Sequence, residues 1–316
     1  MLDSLALIVF VAFFIAVTLM TIRRPVYGLC VLVVAQPFTF SQSVVATTLA
    51  LPKVALLAVL LGLLAHRDAF IPVGARAPWR IVVAGTFVLA ATIVSFAHAT
   101  YFDAVMRETM KILEYIVLFC TVVAAYRLDP DRRSVRTAML GTAIAVSVLA
   151  LSQELIGAPS AMLMNGHPIP RIAGPLEGPN QLAGYFDVAL PFALAFAVEE
   201  SSALANIALF LIVLTDVLTF SRGGLIGALA AIAAVAFVVR GRLRIAFAAM
   251  GAGLAAGLGV AVSWGIVAHT IGLERFWDFR ESDYAGGVGT RPQLWRAAWT
   301  LWLRYPIFGV GAGNFE

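Results

Sequence analysis

The chain is poor in charge, cysteine and histidine. Only 13% of its 316 residues are charged, whereas a soluble domain carries roughly 25%. Its two cysteines, Cys30 and Cys120, lie inside apolar runs, so they predict neither a disulfide framework nor a metal site. The four histidines form no cluster with other metal-ligating residue types. We therefore expect no metal centre and no cofactor.

Long apolar runs dominate what is present. Hydrophobic residues form 61% of the chain, the mean hydropathy is +0.93, and many runs approach the roughly 20 residues that cross a bilayer as a helix. The alternation of barrel strands is missing, so we predict an all-α, polytopic transmembrane helix bundle. The first run lacks a basic start and a cleavage site, and we expect it to be retained as a helix. The predicted helices are 3–22, 26–40, 49–65, 79–98, 104–126, 136–157, 181–199, 203–220, 223–239 and 245–271.

Basic residues predict the orientation of the bundle. The positive-inside rule places the short basic loops in the cytoplasm. Two predicted helices lie between the second basic loop (66–80) and the third (127–136), and four lie between the third and the fourth (240–244). Because both counts are even, a single topology places all the basic loops in the cytoplasm. The same topology puts Arg171, Arg222 and Arg291 on the outer side. The net charge of +4 then reflects cytoplasmic loops and predicts no nucleic-acid partner. The basic loops are 23–24, 66–80, 127–136 and 240–244.

The first candidate segment carries Arg171 and opens the seventh predicted helix. Pro179 and Asn180 are typical of a helix start, because Asn caps free backbone donors, and a helix N-terminus favours anions. Gly174 and Gly178 would let a ligand approach the backbone. The alternative interpretation is an ordinary loop with a helix cap and an arginine at the membrane interface.

The second candidate segment is Ser221-Arg222-Gly223-Gly224, between two apolar runs. The glycines permit a sharp turn and leave backbone N–H groups unshielded at a helix start. A planar guanidinium can bind a phosphate through two hydrogen bonds. The alternative is that Arg222 is a counter-ion to Asp216, although six residues is a poor helical spacing for a pair.

The third candidate segment carries Arg291 after a glycine-rich stretch. Pro292 suits the first turn of a helix, and Trp295, Trp299 and Trp302 recur at helical spacing on one face. Trp is typical of the headgroup region, so we predict an amphipathic surface helix on the outer face. No predicted strand precedes the glycines, which argues against a nucleotide-binding loop.

In this order the three segments resemble the O-antigen ligase and polymerase superfamily, which includes bacterial O-antigen ligases, Wzy-type O-antigen polymerases and related oligosaccharyltransferases. The resemblance covers roughly the second half of the chain. The matching residues are Arg171 with Gly178-Pro179-Asn180-Gln181-Leu182-Ala183, then Phe220-Ser221-Arg222-Gly223-Gly224, then Arg291 with Trp295 and Tyr305-Pro306-Ile307-Phe308-Gly309-Val310-Gly311.

The resemblance implies a GT-C-like, metal-independent glycosyltransferase in the bacterial inner (cytoplasmic) membrane, with its active face on the periplasmic or extracellular side. Such an enzyme moves a glycan from an undecaprenyl-pyrophosphate donor to a glycan, lipid or protein acceptor, as O-antigen ligases do in lipopolysaccharide assembly. Arg171, Arg222 and Arg291 would bind the pyrophosphate, and membrane lipids would surround the bundle. The residues that would line the substrate are Asn180, Ser221, Gly223 and Gly224.

The chain departs from the family pattern at its end. The family places a histidine that activates the acceptor after the Gly-Val-Gly stretch, whereas this sequence stops at Glu316. We therefore expect a C-terminally truncated sequence that lacks its base and is inactive alone, with His167 and Glu177 as weak substitute bases. The expected domains are a transmembrane bundle over 1–271 and the start of a large outer loop over 272–316.

Two further patterns bear on function and packing. A transporter or flippase of lipid-linked saccharides is the alternative function, although transporters place their sites near the midplane instead of clustering cations on one face. Charges at 107–114 include Glu108 and Lys111, which can pair at a spacing of three. The small residues of the last apolar run predict close helix packing; its glycines are Gly251, Gly253, Gly257 and Gly259.

Overall fold

A computed structural model describes most of the chain as helices joined by short turns. The described residues are 2–38, 41–44, 47–66, 76–156, 160–164, 167–200, 202–238, 244–267, 291–306 and 309–315. The helices are α1 (Leu2–Arg23), α2 (Pro25–Ala35), α3 (Leu51–Leu64), α4 (Arg76–Val94), α5 (Phe102–Leu128), α6 (Arg132–Ile156), α7 (Pro179–Glu200), α8 (Ala203–Leu218), α9 (Arg222–Val238), α10 (Arg244–Val267) and α11 (Arg291–Arg304). The strands are β1 (Ser41–Val44), β2 (Thr47–Ala50), β3 (Ser160–Met164) and β4 (His167–Arg171).

The predicted helices agree with the structure. The length and apolarity of the described helices indicate a membrane protein. Every predicted helix overlaps an observed one. Four helices are long and apolar enough to cross a bilayer, and apolar stretches of 10–17 residues lie in α1, α2, α3, α8, α9 and α10. The helices of at least membrane-spanning length are Trp79–His98, Phe102–Leu128, Arg132–Gln153 and Pro179–Glu200.

Two antiparallel hairpins are absent from the all-α prediction. β1 pairs with β2 from Ser41 opposite Ala50 to Val44 opposite Thr47. This segment is rich in Ser, Thr and Val, of which Thr and Val favour strands. The preceding helix, α2, ends at Ala35, earlier than the predicted residue 40. β3 also pairs antiparallel with β4, from Ser160 opposite Arg171 to Met164 opposite His167, and β4 ends at Arg171. The second hairpin sets the position from which Arg171 reaches the helix ends described below.

The chain forms two compact units. The first consists of Met1–Phe14, Cys30–Ala55 and Asp131–Phe279, and the second of Ile15–Leu29, Leu56–Pro130 and Arg280–Glu316. In the first unit, α10 packs on α8, α9 packs on α7, and α6 and α7 both pack on α8. Their apolar faces form a common core whose fully buried members include Leu182, Phe186, Leu194, Leu209 and Ile212.

Glycines set how closely these helices approach. A Cβ atom added to Gly253 of α10 would overlap the carbonyl oxygen of Phe210 in α8, and one added to Gly257 would lie 3.0 Å from the carbonyl oxygen of Leu214. The predicted close packing is therefore correct for this pair, spaced four residues apart. It is wrong for Gly251 and Gly259, around which an added Cβ meets no atom within 4 Å.

The two ends of the first unit carry different groups. At one end Arg136 near the start of α6 forms an ion pair with Glu200 at the end of α7, and its guanidinium lies over the Phe196 ring. Consecutive helices of this unit run in opposite directions. The end of α6, the start of α7, the end of α8 and the start of α9 therefore lie at the opposite end, which we call the arginine end because Arg171 and Arg222 lie there.

Polar contacts, both local and between segments distant in sequence, stabilise the second unit. Arg24 donates two hydrogen bonds of 3.0 Å to the Asp129 carboxylate, which raises the pKa of Arg24. The predicted pair of Glu108 and Lys111 is confirmed, with 2.6 Å between Oε1 and Nζ. Asn314 accepts a hydrogen bond from the Tyr101 N–H at 2.6 Å and donates one to its carbonyl oxygen at 3.2 Å, which fixes the C-terminal segment on the start of α5.

Candidate functional site

A three-residue turn joins α8 to α9 at the arginine end. The Thr219 hydroxyl donates to the Asp216 carbonyl oxygen at 2.6 Å, which ends α8. Phe220 has a φ of 51°, a left-handed conformation that is rare for a bulky residue, and its side chain is fully buried. Ser221 then caps α9, since its hydroxyl accepts a hydrogen bond from the Gly224 N–H at 3.2 Å. Buried packing and capping together fix the position from which Arg222 starts α9.

Arg171 ties the second hairpin to two helix ends. Its Nε donates to the carbonyl oxygen of Thr219 at 2.7 Å, and its Nη2 donates to the Asn180 side-chain oxygen at 3.0 Å. A cation is favourable beside the carbonyl groups at the end of α8 because of the helix dipole. Arg171, Asn180 and the turn before Arg222 are therefore brought together, although 48 residues separate Arg171 from Thr219.

The structure corrects the predicted role of Asn180. Sequence analysis assigned Asn180 as the cap of its helix, but α7 begins at Pro179 and Gly178 accepts the backbone hydrogen bond from Leu182 at 3.0 Å. The Asn180 side chain instead holds Arg171. The capping prediction failed because an Asn at a helix start is equally able to bind a guanidinium from elsewhere in the chain.

Two arginines and two helix N-termini lie at the arginine end. Two guanidinium groups, Arg171 and Arg222, lie at the start of α7 and α9, where unsatisfied backbone N–H groups give each helix a partial positive charge. Gly223 in the first turn of α9 is exposed, and a Cβ added there meets no atom within 4 Å. The backbone at this helix start is therefore open to an incoming anion.

Gln153 is a site residue that sequence analysis missed. Its side-chain oxygen accepts hydrogen bonds from the N–H groups of Ala173 and Gly174, both at 3.0 Å, and its Nε2 donates to the Gly174 carbonyl oxygen at 2.9 Å. Gly174 has a φ of 62°, which favours glycine. Gln153 thus fixes the segment after Arg171 on α6. Gln153 lies between Ser152 and Glu154 near the end of α6, and nothing in the sequence distinguished it from these neighbours or gave its partners.

Two carboxyl groups lie beneath the turn. The Oδ1 atom of Asp216 would be 3.1 Å from a Cβ on Gly224, and the carboxyl of Asp187 lies against Gly227 one turn further along α9. Residues three apart on a helix share a face, so both carboxyl groups lie on the same face of α9. The buried Oδ1 atoms of both have no hydrogen-bond partner among the described residues. Asp216 therefore faces α9 and α7, and the alternative in which it neutralises Arg222 receives no support.

Asp216→Asn is expected to stabilise the protein by about 1–3 kcal/mol, because it removes a buried charge that has a like charge nearby. Thermal unfolding of the purified protein in detergent measures the change. Glu177→Gln, in an exposed loop, is the control and should change stability by no more than about 0.5 kcal/mol. A lower melting temperature for Asp216→Asn would contradict this assignment.

The remaining predicted site residues are not gathered at this place by the described contacts. Glu177 is exposed in the loop before α7, and Gly178 precedes the helix directly. His167 begins β4 in the first unit, and Arg291 begins α11 in the second unit. The side chains of both residues lie outside the described part of the structure. Among the described residues, no group of three or more His, Cys, Asp or Glu side chains could hold a metal ion.

Comparison with known proteins connects the C-terminal part of the chain with one family. Residues 207–316 match the family described as O-antigen ligase. The match includes the turn at Arg222 and the helix that begins at Arg291, and it confirms the superfamily resemblance predicted from the sequence. No curated protein and no solved structure matches the chain.

Proposed function

We propose that this chain, whose residues 207–316 match the O-antigen ligase family, is a glycosyltransferase that uses a polyprenyl-diphosphate-linked glycan, with undecaprenyl pyrophosphate as the carrier. The observation that carries the proposal is the hydrogen-bonded cluster of Arg171, Asn180 and the turn before Arg222 at two helix N-termini. Guanidinium groups and helix N-termini both favour a diphosphate. The acceptor is a glycan, lipid or protein at the outer face of the bacterial cytoplasmic membrane.

The chemistry requires charge stabilisation on the leaving group. An acceptor oxygen forms a bond to the anomeric carbon while the bond from that carbon to the diphosphate oxygen breaks. The diphosphate leaves with the electron pair, and a base takes the acceptor proton. Arg171 and Arg222 would stabilise the developing negative charge in place of a metal ion, since fixed donors aimed at that charge lower the barrier. The base is not among the groups assigned to this site.

Arg291 is proposed as a third ligand of the diphosphate on the basis of the family pattern. It begins α11, whose residues Trp295, Trp299 and Trp302 are all exposed. Exposed tryptophans on one helix are typical of the membrane–water interface. This placement supports a role for α11 at the level of lipid headgroups, where the diphosphate of a membrane-anchored donor also lies.

The proposed function is tested by transfer of a labelled glycan from its polyprenyl-diphosphate carrier by the full-length protein in proteoliposomes. The expected result is a labelled acceptor together with an equal amount of free polyprenyl diphosphate. Movement of the intact lipid-linked glycan across the membrane without cleavage would identify a flippase instead and would end the proposal.

Gln153→Leu is expected to lower kcat/KM for the donor about tenfold or more, because three hydrogen bonds that fix the segment after Arg171 are lost. Steady-state kinetics with varied donor concentration measures the effect. Ser152→Ala on the same helix is the control, since within the described part of the chain its hydroxyl donates only to the Leu149 carbonyl oxygen one turn away. Equal donor kinetics for Gln153→Leu and wild type would show that Gln153 does not position the site.

A further inference from the structure

An apolar slot with one carboxyl group lies between α9 and α10 in the first unit. α9 packs on α7 and α10 packs on α8, which leaves a cavity of about 270 Å³ between α9 and α10. Aliphatic and aromatic side chains form its walls, among them Phe186, Ile212 and Phe247. Asp216 carries the single polar side chain among the described residues that line the slot.

The Asp216 carboxyl is buried without compensation. The residue is 8% exposed, and its Oδ1 has no hydrogen-bond partner among the described residues. The Asp187 carboxyl lies on the same face of α9, and neither carboxyl forms an ion pair within the part of the chain that the structure describes. A buried carboxylate without donors or a counter-charge costs free energy, and a second carboxyl nearby adds repulsion. A cationic hydrogen-bond donor would relieve both costs.

The slot is elongated, with the carboxyl at one end. Asp216 and Leu225 line the end beneath the turn that starts α9 at Arg222. Ile232 lies seven residues beyond Leu225 on α9, which corresponds to about 10 Å along the helix axis. A ligand with a cation at Asp216 would therefore place its remaining atoms along apolar walls.

The slot can be reached from the side. Leu229 of α9 and Phe247 and Leu254 of α10 line it and remain 58%, 41% and 41% exposed. Exposed apolar side chains in the middle of a membrane protein's helices border lipid. A ligand that is dissolved in the bilayer can therefore enter between α9 and α10.

We propose that the slot binds an amphiphilic amine, with its ammonium group on the Asp216 carboxylate and its hydrocarbon part between α9 and α10. An ammonium group supplies three hydrogen-bond donors and the missing positive charge. Folding has already removed water from the Asp216 carboxyl, so binding has to desolvate only the ammonium. An apolar cavity of about 150 Å³ holds benzene, so 270 Å³ accommodates roughly eleven non-hydrogen atoms. This site does not depend on the proposed function.

Other occupants match the slot less well. An anionic head group would meet the Asp216 carboxyl with Asp187 nearby, which is unfavourable for like charges. A phospholipid acyl chain would fill the apolar part but leave the Asp216 Oδ1 without a donor. Preference for an amine over a neutral molecule of the same shape therefore distinguishes the proposed ligand from a hydrocarbon chain.

Three variants separate the contributions of charge and space. Asp216→Asn removes the charge at nearly unchanged volume, and its expected gain in stability keeps the protein folded. Gly251 lines the slot and Gly259 is not among its lining residues, and a Cβ added to either meets no atom within 4 Å. Gly251→Leu therefore fills the slot, whereas Gly259→Leu adds the same side chain to the same helix elsewhere.

The test measures equilibrium binding of two probes of equal shape, 4-phenylbutylamine and 4-phenylbutanol, to the full-length protein in phosphatidylcholine nanodiscs at neutral pH, with empty nanodiscs as the blank. Wild type and Gly259→Leu are expected to bind the amine about tenfold or more tightly than the alcohol. Asp216→Asn should weaken amine binding about tenfold or more and change alcohol binding by no more than about threefold. Gly251→Leu should weaken both probes about tenfold or more, because the hydrocarbon part loses its space.

Each departure from this pattern would overturn the inference. Equal affinity of the two probes for wild type would show that the carboxyl does not select a cation, as expected if lipid acyl chains occupied the slot. An amine preference that survived in Asp216→Asn would place the cation on a different carboxylate. Amine binding to Gly251→Leu as tight as to wild type would place the ligand outside the slot.

Discussion

Arg222→Ala is expected to lower the rate of glycan transfer by about 10²–10³-fold, equivalent to roughly 2.7–4 kcal/mol, the effect of removing one preorganised donor from a developing negative charge. The buried Phe220 and the Ser221 cap fix the backbone at the start of α9, so alanine leaves the helix start in place and removes the cation. Single-turnover transfer of a labelled glycan measures the loss. The KM for the acceptor should change little, because Arg222 is assigned to the donor.

Arg222→Lys should also fail, because lysine retains the charge but loses the two parallel hydrogen bonds of a guanidinium. Arg133→Ala is the control: Arg133 is an exposed arginine near the start of α6, at the opposite end from Arg222, and its loss should leave transfer unchanged. A near-normal rate for Arg222→Ala would remove this residue from the mechanism.

Gly253→Leu is expected to destabilise the protein by about 3 kcal/mol or more, because the added side chain meets the backbone of α8 and cannot be accommodated by a rotamer change. The displaced α8 would also move Asp216 and the turn before Arg222, so transfer activity should fall with stability. The melting temperature and the yield of monodisperse protein in detergent measure the effect.

Gly259→Leu is the matched control for Gly253→Leu, since it adds the same side chain to the same helix in open space. Its melting temperature should equal that of wild type or exceed it slightly, because leucine favours helix over glycine. If the two variants were equally stable, the close contact between α8 and α10 would not contribute to the fold as described.

The sequence was most informative where one physical requirement dominated. A bilayer demands long apolar helices, so the apolar runs predicted α1 to α10 and the even helix counts predicted that Arg171 and Arg222 share one end of the bundle. That shared end is observed in the first unit through the hydrogen bond from Arg171 to Thr219. The side of the membrane on which it lies, and the role of Arg291, stay predictions.

The features that the sequence did not predict depend on contacts between distant residues. The partners of Gln153 lie 20 and 21 residues further along, and the true partner of Asn180 is a guanidinium from the preceding strand. An apolar helix rich in small residues also gives no sign of which face is packed, so Gly251 and Gly259 could not be distinguished from Gly253 and Gly257.

The central claim is that Arg171 and Arg222 bind the diphosphate of a lipid-linked glycan. Its most direct test is equilibrium binding of a labelled polyprenyl-diphosphate-linked glycan to the full-length protein in nanodiscs, with inorganic diphosphate as competitor. We predict one saturable site that is displaced by diphosphate, retained in Arg133→Ala and lost in both Arg171→Ala and Arg222→Ala. Binding of wild-type affinity in both site variants would contradict the account.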